Sequence, residues 1–262
     1  MLLVRVLTAS SAAAVIAGLA WRAGSLSSRG VVAATVVGGI AMTAGATWGA
    51  FLVLWFVSAS LASRYGRRAK EAATGDIVAK GGARDALQVL ANGGVFAAAA
   101  LVSVVWPAWH GAAAVAGAAA LVAAGADTLA TETGTLWRGR PWSLRTRGPV
   151  PTGSSGAVSL PGSLGMVAGA ILLAMAAHWT GLVPAAMIPQ VAGAGVVGAV
   201  ADTVIGAFWQ ARRWCPSCER ETEQPRHRCG TPTVAWRGVS WLSNDTVNFA
   251  CTVVGAVVAL LL

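Results

Sequence analysis

ADTLATETGTLWRGRPWSLRTRGPVPTGSSGAVSLPGSLG, running from Ala126 to Gly165, separates two long apolar blocks. It holds the acids Asp127 and Glu132, the arginines Arg138, Arg140, Arg145 and Arg147, and a run of Gly, Ser and Thr. In a soluble chain this is an ordinary loop. Between membrane spans, the same mixture suggests a phosphate and metal site, because arginines pair with phosphate and carboxylates with hard cations.

The surroundings decide that the interval lies between spans. The 262 residues are 56% hydrophobic and only 11% charged, with mean hydropathy +0.65. Soluble domains carry about 25% charged residues. Apolar runs near 20 residues alternate with short charged segments, the pattern of a polytopic helical membrane protein. Ala, Gly and Val dominate the runs, and small residues let helices approach closely in lipid. The expected fold is an all-α membrane bundle forming one domain over 1–262. Eight spans are read at roughly 2–21, 31–45, 49–63, 88–106, 111–126, 157–178, 183–208 and 244–262. There are seven if 31–63 is one broken helix. The first run also has the outline of a signal peptide, but the spans that follow favour a membrane helix.

The loops then alternate. Those near 46–48, 107–110 and 179–182 lack Lys, Arg, Asp and Glu, whereas those at 22–30, 64–87, 127–156 and 209–243 carry nearly all the charge. Of the 19 basic residues, Arg5 alone falls on the other side. Positive-inside bias places the charged loops in the cytoplasm and the protein in the plasma (inner) membrane. That bias explains the net charge of +9 without a nucleic-acid partner. It does not explain the ten acids, which have little effect on topology yet all lie toward the same face.

Several motifs sit at that face. Segment 64–87 is either a solvated basic loop on anionic lipid or a phosphate-holding loop using Lys70, Lys80 and Arg84. Asn92-Gly93-Gly94 is expected to open the fourth span and leave N–H groups for an anion. Ala-Asp-Thr closes both the fifth and seventh spans, at Asp127-Thr128 and Asp202-Thr203, so two weakly repeated hairpins bring Asp127 and Asp202 to one depth. An acid there is either capped or paired with Arg, or it contacts substrate or metal. Two or three carboxylates with Thr hydroxyls suit Mg²⁺. Thr152-Gly-Ser-Ser-Gly-Ala-Val-Ser159 reads as a turn whose glycines and hydroxyls can approach phosphate, although it lacks the Walker ending. Asn244, Asp245 and Asn248 crowd the start of the last span, where one of them can be the N-cap. In 209–243, Cys215, Cys218, His227 and Cys229 form a zinc-knuckle pattern with a closed Cys₃His donor set, with a redox pair or free thiols as the alternatives.

Together these pieces resemble the integral membrane family that includes plant phytyl-phosphate kinase and its bacterial, archaeal and animal relatives. The matching pieces are Arg84-Asp85 with Gln88 and Asn92-Gly93-Gly94, Ala126 to Gly134, Gly156 to Gly162, Ala201 to Ala207 with Gln210, the Cys/His loop, and Asn244-Asp245 with Val247-Asn248. They occur in the family's order over about 35–262. The family commonly has Ser where Thr131 and Thr203 stand. The resemblance implies transfer of a nucleotide γ-phosphate, for example from CTP, to an isoprenyl monophosphate. On that reading Asp127, Asp202 and Asp245 hold Mg²⁺ on the nucleotide, with Glu132 beside them. Arg138, Arg140 and Arg145 neutralise charge. Gly153, Ser155, Gly156 and Ser159 cradle phosphate, with Lys70, Lys80, Arg84, Asn92, Gly93, Thr128, Gln210, Asn244 and Asn248 as further substrate contacts. A homo-oligomer is compatible with such a chain. The competing readings are a CTP-dependent lipid cytidylyltransferase or lipid-alcohol kinase, a lipid transporter or flippase, and a membrane scaffold using its zinc loop for protein binding.

Overall fold

The computed structural model describes residues 2–137 and 139–262. Its transmembrane part comprises α1 (Leu2–Arg22), α2 (Ser28–Ala44), α3 (Ala46–Arg64), α5 (Ala86–Val105), α6 (His110–Leu136), α7 (Leu160–Trp179), α8 (Ile188–Phe208) and α9 (Asn244–Leu261). A short amphipathic helix, α4 (Arg67–Thr74), lies between α3 and α5. Seven of the helices are long and apolar enough to cross a membrane; α2, at 17 residues, is the shorter one. The 31–63 run is two helices separated by a single extended residue, Gly45.

Local signals set the helix starts. Ser27, Ser159 and Ser243 accept backbone N–H bonds as N-caps of α2, α7 and α9. Asp85 and Gln88 form a full capping box on α5, satisfying two otherwise orphaned donors. That box starts α5 at Ala86, so Asn92-Gly93-Gly94 lies inside the helix rather than opening it. The expected free N–H groups are absent there, because they belong to the helical ladder. The cap of α9 is likewise Ser243, not one of Asn244, Asp245 or Asn248.

A second boundary differs. The fifth span was expected to end at 126 with a loop over 127–156, but α6 continues through Asp127 and Glu132 to Leu136. Its threonines make this possible. Thr128 Oγ1 donates to Ala124 O (2.8 Å) and Thr133 Oγ1 to Leu129 O (2.7 Å), so their hydroxyls are satisfied by the helix itself.

α6 is the central helix, with an unbroken buried run from Ala116 to Ala126. It packs on α5, α7, α8 and α9. Small residues permit the closest approach: a Cβ at Gly198 would press on Ala123 and Cys251 O, and one at Gly255 on Ala123 and Ala119 O. In lipid, where apolar burial does not drive helix association, such close backbone packing does. Outside the bundle are two small antiparallel sheets. One has the order β2 (Gly148–Pro149), β1 (Trp142–Ser143), β3 (Ala157–Val158). The other has the order β5 (Arg220–Thr222), β4 (Arg212–Cys215), β6 (Val234–Arg237).

Candidate functional site

The charged segments interlock at one end of the bundle. Ser27 N donates to Arg84 O (3.0 Å), and Arg84 N donates to Ser25 O (2.9 Å). Arg64 reaches Ser25 Oγ (2.9 Å). Glu223 N donates to Ile77 O (2.8 Å), and Thr222 Oγ1 to Asp76 O (2.8 Å). Arg5 lies at the other end, donating to Ala44 O (3.0 Å). The acids and bases of four separate segments therefore share one surface, as the alternation of loops predicts.

The acidic layer follows from the close packing of α6, α8 and α9. Ala123, Gly198 and Gly255 meet. One turn toward the charged end, the same three helices present Asp127, Asp202 and Cys251, since residues four apart share a helix face. Asp127 and Asp202 lie close enough to interact electrostatically, and Asp202 also senses Glu223. Asp202 Oδ2 is buried without a hydrogen-bond partner. Asp245 lies nearer the mouth, at the start of α9. Its Oδ2 accepts from Lys80 (2.5 Å), while its Oδ1 is buried and unpartnered. Two buried carboxylate oxygens without partners are costly unless a proton or cation meets them. Oxygen donors of this type suit a hard divalent cation.

Lys80 links this mouth to α5, pairing also with Asp85 (2.8 Å). Burial opposes its charge, yet the hydrogen bonds it donates to both carboxylates outweigh that and hold the ammonium above the ordinary lysine range.

The turn at 153–156 packs on the end of α8. Gly153 (φ 89) and Gly156 (φ 69) are left-handed, a region costly for other residues. A Cβ at Gly156 would collide with Ala207. Ser155 Oγ bonds Gln210 Oε1, and Gln210 Nε2 bonds Glu223 Oε1 (2.8 Å). Glu223 also accepts from Arg212 Nη1 (2.5 Å) and, through Oε2, from Ala79 N (3.2 Å). Arg212 is almost fully buried and pairs in addition with Glu221 (2.7 Å), which Arg237 meets from the other side (2.7 Å). This network ties the turn to the sheet that carries the cysteines. Gly156→Ala should lower stability by at least about 1–2 kcal/mol from the left-handed backbone alone, read as a fall in the melting temperature of the detergent-solubilised protein.

The remaining predicted residues fall into separate groups. Glu132 pairs with Lys70. Lys70 Nζ also donates to Ala62 O (2.9 Å) and Ser63 O (3.1 Å), so its three donors are engaged within the protein. Arg84 Nη1 donates to Ser60 Oγ (2.9 Å), and its guanidinium lies 5.5 Å from the Phe56 ring centroid. Asn92 Nδ2 donates to Gln88 O (2.9 Å), and Gly93 packs near Val37. Ser159 caps α7. Arg140 and Arg145 are exposed beside the β1–β2 hairpin, and Asn244 is exposed while Asn248 is half-buried at the start of α9. Arg138 lies outside the described residues. Sequence reading missed Arg212, Glu221 and Glu223. Their only local signal was alternating charge in Arg220-Glu221-Thr222-Glu223, which reads equally well as a solvated surface.

The Cys/His group converges as its spacing predicts. One ligand atom from each of Cys215, Cys218, His227 and Cys229 lies within 4.8 Å of the others. Cys215 and Cys229 Sγ are 3.6 Å apart, and His227 Nε2 is buried without a partner. β4 ends at Cys215, and the turn into β5 carries Cys218. Four soft or borderline donors in one small cluster can hold a metal ion such as zinc. Cys251 stands apart, buried on α9.

With this geometry in view, comparison with known proteins is decisive for kinship. The family model described as "Integral membrane protein DUF92" matches residues 11–256. The chain belongs to the DUF92 family. This DUF92 chain is 26% identical to Protein PGR of Arabidopsis thaliana over 94% of its own length and 91% of the relative's. It is 28% identical to an uncharacterized membrane protein of Synechocystis, over 85% and 77%. A third relative, an uncharacterized membrane protein of Methanocaldococcus jannaschii, is 25% identical over 90% and 85%. No solved structure matches the DUF92 chain.

Proposed function

We propose that the protein is a membrane phosphotransferase that converts an isoprenyl monophosphate to its diphosphate with a nucleoside triphosphate such as CTP. The observation that carries the reading is the acidic mouth, where Asp202 Oδ2 and Asp245 Oδ1 are buried without partners at the end of the bundle where the basic loops converge. Positive-inside bias puts that end in the cytoplasm, where nucleotides are.

The chain's own groups fit the task. Asp127 and Asp202 share a layer that would hold Mg²⁺, and Asp245 with Lys80 lies between that layer and solvent. A cation held by these carboxylates would supply charge neutralisation to the nucleotide phosphates. Ser155 and the Gly153–Gly156 turn, fixed on α8 through Gln210 and Glu223, offer donors to phosphate oxygens. Arg140 and Arg145 are exposed beside them. Phosphoryl transfer is mostly positioning and electrostatics, and the lipid phosphate itself is the nucleophile. No protein nucleophile is needed, and the site contains no Ser-His-Asp arrangement among the described residues. The Cys₃His group suits a structural Zn²⁺, because four protein ligands fill its tetrahedron.

Product analysis tests the reaction class. With purified protein, CTP and a prenyl monophosphate, a kinase releases CDP and a lipid diphosphate. Released pyrophosphate would instead identify a cytidylyltransferase. Lipid movement across a vesicle without any nucleotide turnover would identify a flippase.

A further inference from the structure

A half-open apolar pocket lies between α1, α2, α3 and the first turns of α5. Its walls come from α1, α2 and α3, including Ala17, Val37, Met42, Val53, Trp55 and Phe56. Its free volume is about 70 Å³. Met42 and Val53 also line a shallower apolar groove of about 530 Å³ that continues along α3 toward Ala46, the end away from the charged surface. At the charged end the cavity is headed by Arg84, Gln88 and Asn92, one face of α5 and its cap.

Arg84 is the feature that packing alone does not explain. Its guanidinium is partly buried, and among the described residues it joins no ion pair. Among the described residues, Nη1 donates to Ser60 Oγ and the Phe56 ring lies against the guanidinium, while Nε and Nη2 make no hydrogen bond. Nε and Nη2 form the side-on pair of donors that matches two oxygens of one phosphate. Lys70 and Lys80, by contrast, are already paired with carboxylates. A withdrawn cation at the mouth of an apolar channel calls for an anionic head on an apolar tail. Its small free volume suits one chain rather than two. The geometry also serves transfer. Glu132 senses Arg84 electrostatically, and Glu132 stands five residues beyond Asp127 on α6, roughly 7 Å of helix rise.

We infer that this cavity is the acceptor-lipid site, holding the tail of a single-chain prenyl monophosphate between α1, α2, α3 and α5 and its phosphate on Arg84. The inference rests on the phosphotransferase reading for the identity of the lipid, and on the cavity and Arg84 for its location. The lipid would approach from the α5 side of the acidic layer, with the nucleotide on the α8–α9 side.

The test uses the full-length protein in nanodiscs and a C20 prenyl monophosphate with a diazirine at its tail end. Crosslinks should map around Met42 and Val53. Equilibrium binding, measured without nucleotide, should weaken at least tenfold in Arg84→Gln and recover in part in Arg84→Lys. Val53→Phe, which narrows the cavity where it meets the groove away from the head, should disfavour C20 relative to C10 by at least tenfold while C10 binding holds. Crosslinks confined to α8 and α9, an unchanged C20-to-C10 ratio in Val53→Phe, or equal affinity for a two-chain phospholipid or a fatty acid would overturn the site. The two readings separate cleanly. Crosslinking here with no turnover supports the cavity and overturns the kinase, whereas turnover with crosslinks elsewhere does the reverse.

Discussion

Asp127→Asn and Asp202→Asn should each reduce phosphate transfer at least about 100-fold, the scale on which preorganised charge stabilisation acts in enzymes. Folding should not suffer. The two carboxylates share a half-buried layer of α6 and α8, where two like charges would repel, and Asp202 Oδ2 has no partner whose loss could destabilise the fold. Neutralising either acid should leave the melting temperature unchanged or raise it, the usual signature of a functional site kept at a cost in stability. A structural role predicts the opposite, a loss of stability with each substitution. Melting curves and initial rates on the same preparations distinguish the two. Near-wild-type turnover in both variants would remove the acids from the mechanism.

The second large effect concerns the Cys₃His cluster. Cys215→Ser or Cys218→Ser should drop the bound zinc from about one per chain to near zero, measured by elemental analysis of the purified protein. In small zinc domains the metal contributes about 10–16 kcal/mol of apparent folding free energy, more than the short strands β4 to β6 can supply. The 209–243 segment should therefore lose protease resistance while the helices remain inserted. Activity should fall as well, because this sheet carries Arg212 and, just past β5, Glu223, and Glu223 holds Gln210 and through it the Ser155 turn. Cys251→Ser is the control: Cys251 lies outside the cluster, and its substitution should leave the zinc in place. A Cys218→Ser protein with full metal content would contradict the assignment.

What the sequence revealed and what it concealed divide along physical lines. Span positions and the shared charged end were legible because lipid tolerates few alternatives to apolar helices. The metal cluster was legible because its donors come from one short segment and its chemistry is local. Helix ends were less so. The Asp85-to-Gln88 box was present in the sequence and starts α5 at Ala86, two residues before the span read at 88–106, and the glycines at 93 and 94 that suggested an opening turn lie inside the helix. In the extension of α6 through Asp127 to Leu136 the hydroxyls of Thr128 and Thr133 are satisfied by the helix itself, whereas polar composition alone reads as a loop. The Lys70–Glu132 and Lys80–Asp245 pairs join residues 62 and 165 positions apart, and no local pattern announces them. The same holds for Arg212 and Glu223. Their importance comes from reaching across to Gln210 and the 153–156 turn, a contact made by the tertiary fold alone.

The most direct measurement follows the γ-phosphate itself. Purified protein in nanodiscs is supplied with γ-labelled nucleoside triphosphate, Mg²⁺ and a C20 prenyl monophosphate, and the lipid fraction is analysed for label. The acid layer as a cation-organised phosphoryl-transfer site predicts labelled prenyl diphosphate that requires Mg²⁺, is lost in EDTA and is absent with Asp202→Asn. A well-folded protein with its zinc in place that transfers no label from either CTP or ATP, at any chain length, would contradict it.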